Sequence, residues 1–146
     1  MRFWDASALI PLLIDESTSE HAREAFRTDT EISVWWATEV ECSSAFARLE
    51  RDGALAEGAA HQAAEQLAAF RLEWHEIQPS DPLRERATRL VRIHPLRAAD
   101  AFQLAAATVA ADGQPSALPF VTLDDRLAVA ADREGFPVVR FDRPPL

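Results

Sequence analysis

The stretch MRFWDASALI (residues 1–10) decides how the rest of the chain is read. Arg2–Trp4 is bulky and apolar at its end, as a short buried strand would be, and from Ser7 onward small and aliphatic residues begin a helix. Between the two stands Asp5. A carboxylate at the edge of a buried strand is costly unless something binds it, so the stretch gives both a strand-to-helix handover and a position of chemical interest.

Working outward, the same handover recurs. Strands are expected at Arg2–Trp4, Ile32–Trp35, Glu73–Ile77, Phe120–Leu123 and Val138–Phe141, each short and mostly apolar. Helices are expected at Ser7–Ile14, Ser19–Arg27, Thr38–Arg51, Glu57–Phe70, Pro82–Ile93, Ala98–Ala111 and Arg126–Glu134, with Gly53, Gly113 and Gly135 as stops. Alternation of this kind predicts an α/β fold, a three-layer α/β/α sandwich around a mainly parallel sheet of about five strands. The loop GQPSALP and the tail DRPPL read as punctuation, there is no internal repeat, and residues 1–146 are expected to form one domain.

Composition narrows the function. With 146 residues and 48% hydrophobic content the chain can bury a core without staples, and its single Cys42 has no internal disulfide partner. No secretion signal is visible, and no window approaches the roughly 18 apolar residues of a membrane span, so a cytoplasmic protein with no membrane role is expected. The net charge is −9, with 15 acidic residues against 6 Arg up to Glu76 and 9 against 9 afterwards. An acidic surface disfavours simple phosphate coating and favours a basic protein partner. All 15 basic residues are Arg, which excludes any mechanism that needs a lysine.

In open α/β sheets ligands bind beyond the carboxyl ends of the strands. Asp5 ends the first strand and Asp124 the fourth. Asp100 lies in the first turn of an apolar helix, LRAADAFQLAAA, where the positive helix end favours it by roughly 0.3–1 kcal/mol. Glu41 or Glu39 lies near the start of another, in TEVECSSAFARL. Each of these acids could instead be an ordinary helix cap or a solvated side chain. Together they would crowd one edge of the sheet, where carboxylates about 4 Å apart repel by about 4 kcal/mol at an effective dielectric of 20. A divalent cation removes that cost, and an all-oxygen donor set points to Mg²⁺ or Mn²⁺. The four histidines, His21, His61, His75 and His94, lack paired ligand spacing for zinc, and Cys42 reads as a buried core thiol.

FWDASALI, TEVECSSAFARL, LRAADAFQLAAA and FVTLDDRLAVAADREGFPVV resemble, in order and spacing, the motifs of PIN-domain ribonucleases, in particular the VapC-like toxins of toxin–antitoxin pairs. The resemblance covers nearly the whole chain. It implies a Mg²⁺-dependent endoribonuclease, with Asp5, Glu41, Asp100 and Asp124 as the acids that hold one or two ions, and with 5′-phosphate and 3′-hydroxyl products. It also implies a homodimer and a cognate antitoxin, whose basic tail would suit the charge. Glu41 stands seven residues before Arg48, the family's spacing, and shares a helix face with Ala45 and Arg48; Glu39 shares one with Cys42, Phe46 and Leu49 and should point into the core. Ser7 and Thr122 match the family's hydroxyls beside the metal acids, where they would orient a carboxylate or water; Ser7 could equally cap its helix.

An acidic nuclease must still hold RNA. Arg84, Arg86, Arg89, Arg92 and Arg97 form the dense basic stretch, with Arg89, Arg92 and Arg97 nearest to Asp100 as candidate RNA contacts, or else part of a solvated face paired with acids. Trp35, Trp36, Phe46 and Phe102 read as core or oligomer interface. Two rivals remain. A PIN-like module could bind RNA or protein without cutting. A haloacid-dehalogenase-like phosphatase also places an Asp after its first strand, but it needs a second Asp where this chain has Ser7, and a lysine.

Overall fold

The computed structural model describes residues 1–143. Five strands, β1 (Arg2–Trp4), β2 (Ile32–Trp35), β3 (His75–Ile77), β4 (Phe120–Val121) and β5 (Val138–Val139), pair in parallel in the order β3-β2-β1-β4-β5. The helices between them are α1 (Ala6–Leu13), α2 (Ser19–Thr28), α3 (Thr38–Arg51), α4 (Ala59–Arg71), α5 (Asp81–Ile93), α6 (Ala98–Ala110) and α7 (Asp125–Arg133). The expected parallel α/β/α sandwich is thus observed. The last three residues of the tail DRPPL lie outside the described residues.

Side chains alternate across a strand, and here that alternation splits the core in two. Phe3, Trp35 and Phe120 point to one face and pack with Leu83 and Leu90 of α5, Ala101 and Leu104 of α6 and Leu127 of α7. Trp4, Val34 and Val121 point to the other, against Leu9 of α1, Cys42 and Phe46 of α3 and Leu67 of α4. Phe3 and Phe120, fully buried neighbours across β1 and β4, stack with ring centroids 5.3 Å apart. Burying each such ring contributes roughly 1.5–3 kcal/mol. In α6, Ala101, Ala105, Ala106 and Ala107 are all fully buried, and their small side chains let the helix lie deep between the sheet and α5.

Three strands are shorter than expected, each for a hydrogen-bonding reason. β3 starts at His75 because the Glu73 and Trp74 amides both donate to Phe70 O, at 3.0 and 2.9 Å, and finish α4. β4 ends at Val121 because the chain then leaves the ladder: the Leu123 amide donates to Ser7 Oγ at 2.9 Å and the Asp124 amide to Thr122 Oγ1 at 3.1 Å. β5, its neighbour, ends at Val139 accordingly. Helix ends differ by one or two residues; α4 begins at Ala59, after Gly58 at φ +86°, a backbone that other residues rarely adopt. No helix among the described residues is long and apolar enough to cross a membrane.

The sheet order reverses at β1: β2 and β3 build outward on one side, β4 and β5 on the other. A crevice opens beyond the carboxyl ends of strands that flank such a switch point. Asp5 leaves β1 there, and Thr122 leaves β4.

Candidate active site

Asp5 is 5% exposed, and its backbone amide continues the sheet by donating to Val121 O at 3.1 Å. It occupies the cap position of α1 without a capping bond of full hydrogen-bond geometry, although the nearby Ser7 amide still favours its charge. Ser7 Oγ donates to Asp5 Oδ1 at 2.8 Å. Burial pushes the Asp5 carboxyl up from 3.8 to about 7, against the lowering pull of the Ser7 and Thr122 hydroxyls, and the charge of Glu41 adds to the rise.

Ser7 is therefore no helix cap. Its hydroxyl donates to Asp5, accepts from the Leu123 amide, and lies 3.4 Å from Thr122 Oγ1. Thr122, fully buried, in turn accepts from the Asp124 amide. These two hydroxyls join the loop after β1 to the loop after β4, and so fix Asp5 relative to Asp124. For Asp124 the capping expectation holds for one oxygen: Oδ1 accepts from the Leu127 amide at 2.8 Å and starts α7.

Glu41 and Asp100 come from the other side. Glu41, in the first turn of α3, accepts a hydrogen bond from Gln103 Nε2 at 3.2 Å. Burial raises its carboxyl, Asp100 adds to the rise, and the Gln103 bond opposes it. Asp100, in the first turn of α6, is raised by burial and by the charge of Asp124, with Arg97 and Arg126 pulling it back. The four acids thus repel in sequence, Asp5 with Glu41, Glu41 with Asp100, and Asp100 with Asp124. Glu39 does not join them. The expectation that it points into the core is corrected: its carboxylate pairs with Arg71 of α4 at 3.1 Å, with a third of the side chain exposed.

Glu41, Asp100 and Asp124 line one cleft of about 710 Å³, together with Arg48, Arg97 and Arg126. Asp5 is absent from this wall and sits behind it. Among the described residues, none of the four acids forms an ion pair, although three guanidinium groups share their cleft. An all-oxygen set without ion pairs, in which burial raises Asp5, Glu41 and Asp100, fits a hard divalent cation. As placed, however, no three His, Cys, Asp or Glu side chains among the described residues are gathered closely enough to hold an ion. Carboxylates without a counter-ion repel one another.

Of the arginines expected near the site, Arg97 reaches the cleft, while Arg89 and Arg92 stand exposed on α5 away from its wall. Arg126, in the helix that Asp124 caps, was not legible as a site residue, and neither was Gln103, a neutral residue in an alanine-rich helix. Cys42 is fully buried in the core, and burial pushes its thiol up to about 12. Trp35 and Phe46 are buried, and Trp35 stacks on Phe102 at 5.5 Å, whereas Trp36 is 51% exposed.

A PIN-domain family profile matches residues 2–142. No curated protein matches the chain. Among solved structures, the chain is similar to a toxin–antitoxin complex from Klebsiella pneumoniae at 18% identity, covering 95% of this chain and 96% of that one, with a TM-score of 0.65. It is similar to VapC20, the sarcin–ricin loop-cleaving toxin of Mycobacterium tuberculosis, at 17% identity, covering 93% and 96%, with a TM-score of 0.66. It is also similar to FitAcB from Neisseria gonorrhoeae at 18% identity, covering 97% and 96%, with a TM-score of 0.62.

Proposed function

Because the chain belongs to the PIN-domain family, we propose that it is a Mg²⁺-dependent endoribonuclease, the toxin of a toxin–antitoxin pair. One observation carries this reading: three carboxylates without ion partners line a single cleft at the sheet's switch point, with a fourth, Asp5, buried behind them. Glu41, Asp100 and Asp124 would hold the cation from the cleft wall, and Asp5 from beneath. When bound, Mg²⁺ or Mn²⁺ supplies a Lewis acid for a phosphate oxygen and a water of lowered pKa. The chain's own residues do the rest. Ser7 and Thr122 orient Asp5 and the Asp124 loop, and Arg97 and Arg126 offer positive charge to the phosphodiester entering the cleft. The proton of the attacking water goes to a carboxylate or to bulk water, since no lysine or histidine lines the cleft.

The partners follow from the same surfaces. A basic segment of an antitoxin would place Arg among the unpaired carboxylates, and two of the similar structures are described as a toxin–antitoxin complex and as a sarcin–ricin loop-cleaving toxin. For a homodimer, Phe102 joins two apolar hollows, one with Trp35, Trp36 and Leu83 and the other with Ala87, Val91 and Ala98. Trp36 and Val91, in their walls, are 51% and 41% exposed, a face that a second copy would cover.

The separation of the carboxylates favours a second reading, a PIN-like module that binds RNA or protein without cutting. A haloacid-dehalogenase-like phosphatase finds no support: Ser7 stands where its second Asp is needed, and the Ser7 hydroxyl is engaged with Asp5 and Leu123. The deciding experiment is cleavage of a small-RNA pool with Mg²⁺ or Mn²⁺ against EDTA, beside Asp100→Asn. Discrete products that need the metal and disappear in the variant support the nuclease. No cleavage of several RNA pools supports the binding module.

A further inference from the structure

Gln103 is 1% exposed and is spent on a neighbouring helix. It lies three residues after Asp100 on α6, and its Nε2 donates to Thr38 Oγ1 at 3.1 Å and to Glu41 Oε1 at 3.2 Å. Thr38 is itself fully buried at the start of α3, three residues before Glu41. Both amide hydrogens therefore go to α3, and the bonds cross between the two helices that carry Glu41 and Asp100. The other end of the amide is different: Gln103 Oε1 is buried with no partner. Turning the amide over would set Oε1 against a carboxylate oxygen, so the acid dictates its orientation. A buried polar atom left unsatisfied is unfavourable, and an ordinary core position would be served better by Leu or Met.

We propose that Gln103 is a positioning residue: it holds Oε1 of Glu41 from behind, which fixes the carboxylate at the cleft wall and leaves Oε2 free for a cation. This rests on the reading of Glu41 as a metal acid. Without the amide, Glu41 would be free to swing toward solvent or Arg48, one of its neighbours in the cleft wall. Groups that orient a ligand from behind typically change metal affinity or activity by about 10–100-fold when removed.

The test uses the intact protein and Gln103→Met, which keeps length and loses both donors. Calorimetric titration with Mn²⁺ is expected to show binding weakened about 10–100-fold, with a melting temperature within about 4 °C of the wild type. In a Glu41→Ala background the same substitution should cause no further loss, because its effect runs through Glu41. Unchanged Mn²⁺ affinity, or an equal loss in both backgrounds, overturns the proposal. A metal-free readout separates it from the site reading. In EDTA, both Gln103 side-chain amide hydrogens should be protected from exchange, and in Glu41→Ala the one facing Glu41 should exchange faster than the one bonded to Thr38. If Glu41→Ala leaves it unchanged, Gln103 does not hold Glu41. A wild type that binds no Mn²⁺ sinks the metal reading, while the amide measurement still decides whether the tie exists.

Discussion

Replacing Asp5 by Asn removes a buried charge and little else. Asn keeps an acceptor for Ser7 Oγ, now 2.8 Å from Asp5 Oδ1, and its amide hydrogens can reach toward Thr122. Burial raises the Asp5 carboxyl from 3.8 to about 7. Below pH 3.8 the group is protonated in both folded and unfolded chains and costs nothing. As pH rises from there toward 7 the folded protein keeps a proton that the unfolded chain releases, so stability falls by about 1.4 kcal/mol per pH unit. Above 7 the loss levels off, at about 4 kcal/mol in all. For a chain of this size that is on the order of 10 °C in melting temperature. Thermal unfolding of both proteins in EDTA, followed by circular dichroism between pH 5 and 8, should therefore show Asp5→Asn gaining on the wild type as pH rises. Mg²⁺ should stabilise the wild type more than the variant, because it offsets the charge that the variant lacks. A difference between the two proteins that stays constant across this range would refute the reasoning, and would mean that the Asp5 carboxylate is already solvated or paired.

The two glutamates of α3 should separate cleanly. Glu41→Gln should lower metal-dependent RNA cleavage by about 100-fold or more, while Glu39→Gln, which loses a half-exposed pair with Arg71, should leave cleavage intact and cost at most about 1 kcal/mol in urea unfolding. Arg126→Ala should weaken RNA binding and reduce the slope of log affinity against log salt by about one, read in filter-binding titrations; an unchanged slope would place Arg126 off the RNA path. Arg140 donates to Leu123 O at 3.0 Å, to Asp125 Oδ1 at 2.8 Å and to both oxygens of Asp142 at 3.1 Å, with its side chain 3% exposed. Arg140→Ala should cost about 2–4 kcal/mol and lower cleavage through the Asp124 loop; wild-type stability would show that these bonds are replaced by water.

How much of this was legible follows from the range of each interaction. The strand at Arg2–Trp4, the handover at Asp5 and the helical start before Asp100 are local patterns, and the structure has them in place. Glu41 was separable from Glu39 by its spacing to Arg48 and its helix face, yet where Glu39 goes was not, because its partner Arg71 belongs to α4. The pattern after Val121 and Val139 reads as strand for the same reason, although both strands end there. Thr122 and Leu123 look like strand by propensity, but Ser7, from the other end of the chain, takes the Leu123 amide. Gln103 gave no signal at all, since only the crossing of α6 on α3 gives a polar side chain in an alanine-rich helix a carboxylate to hold.

The register of the central strands bears on when the acidic cleft is assembled. Phe3 pairs with Phe120 and Trp4 with Val121, so β1 waits for the distant β4 before both sides of the crevice exist. Such long closures are slow and come late in folding. Asp5, Ser7 and Thr122 meet only after the chain through β4 has emerged from the ribosome's exit tunnel. A nascent chain that has not yet released β4 therefore carries no assembled carboxylate cleft.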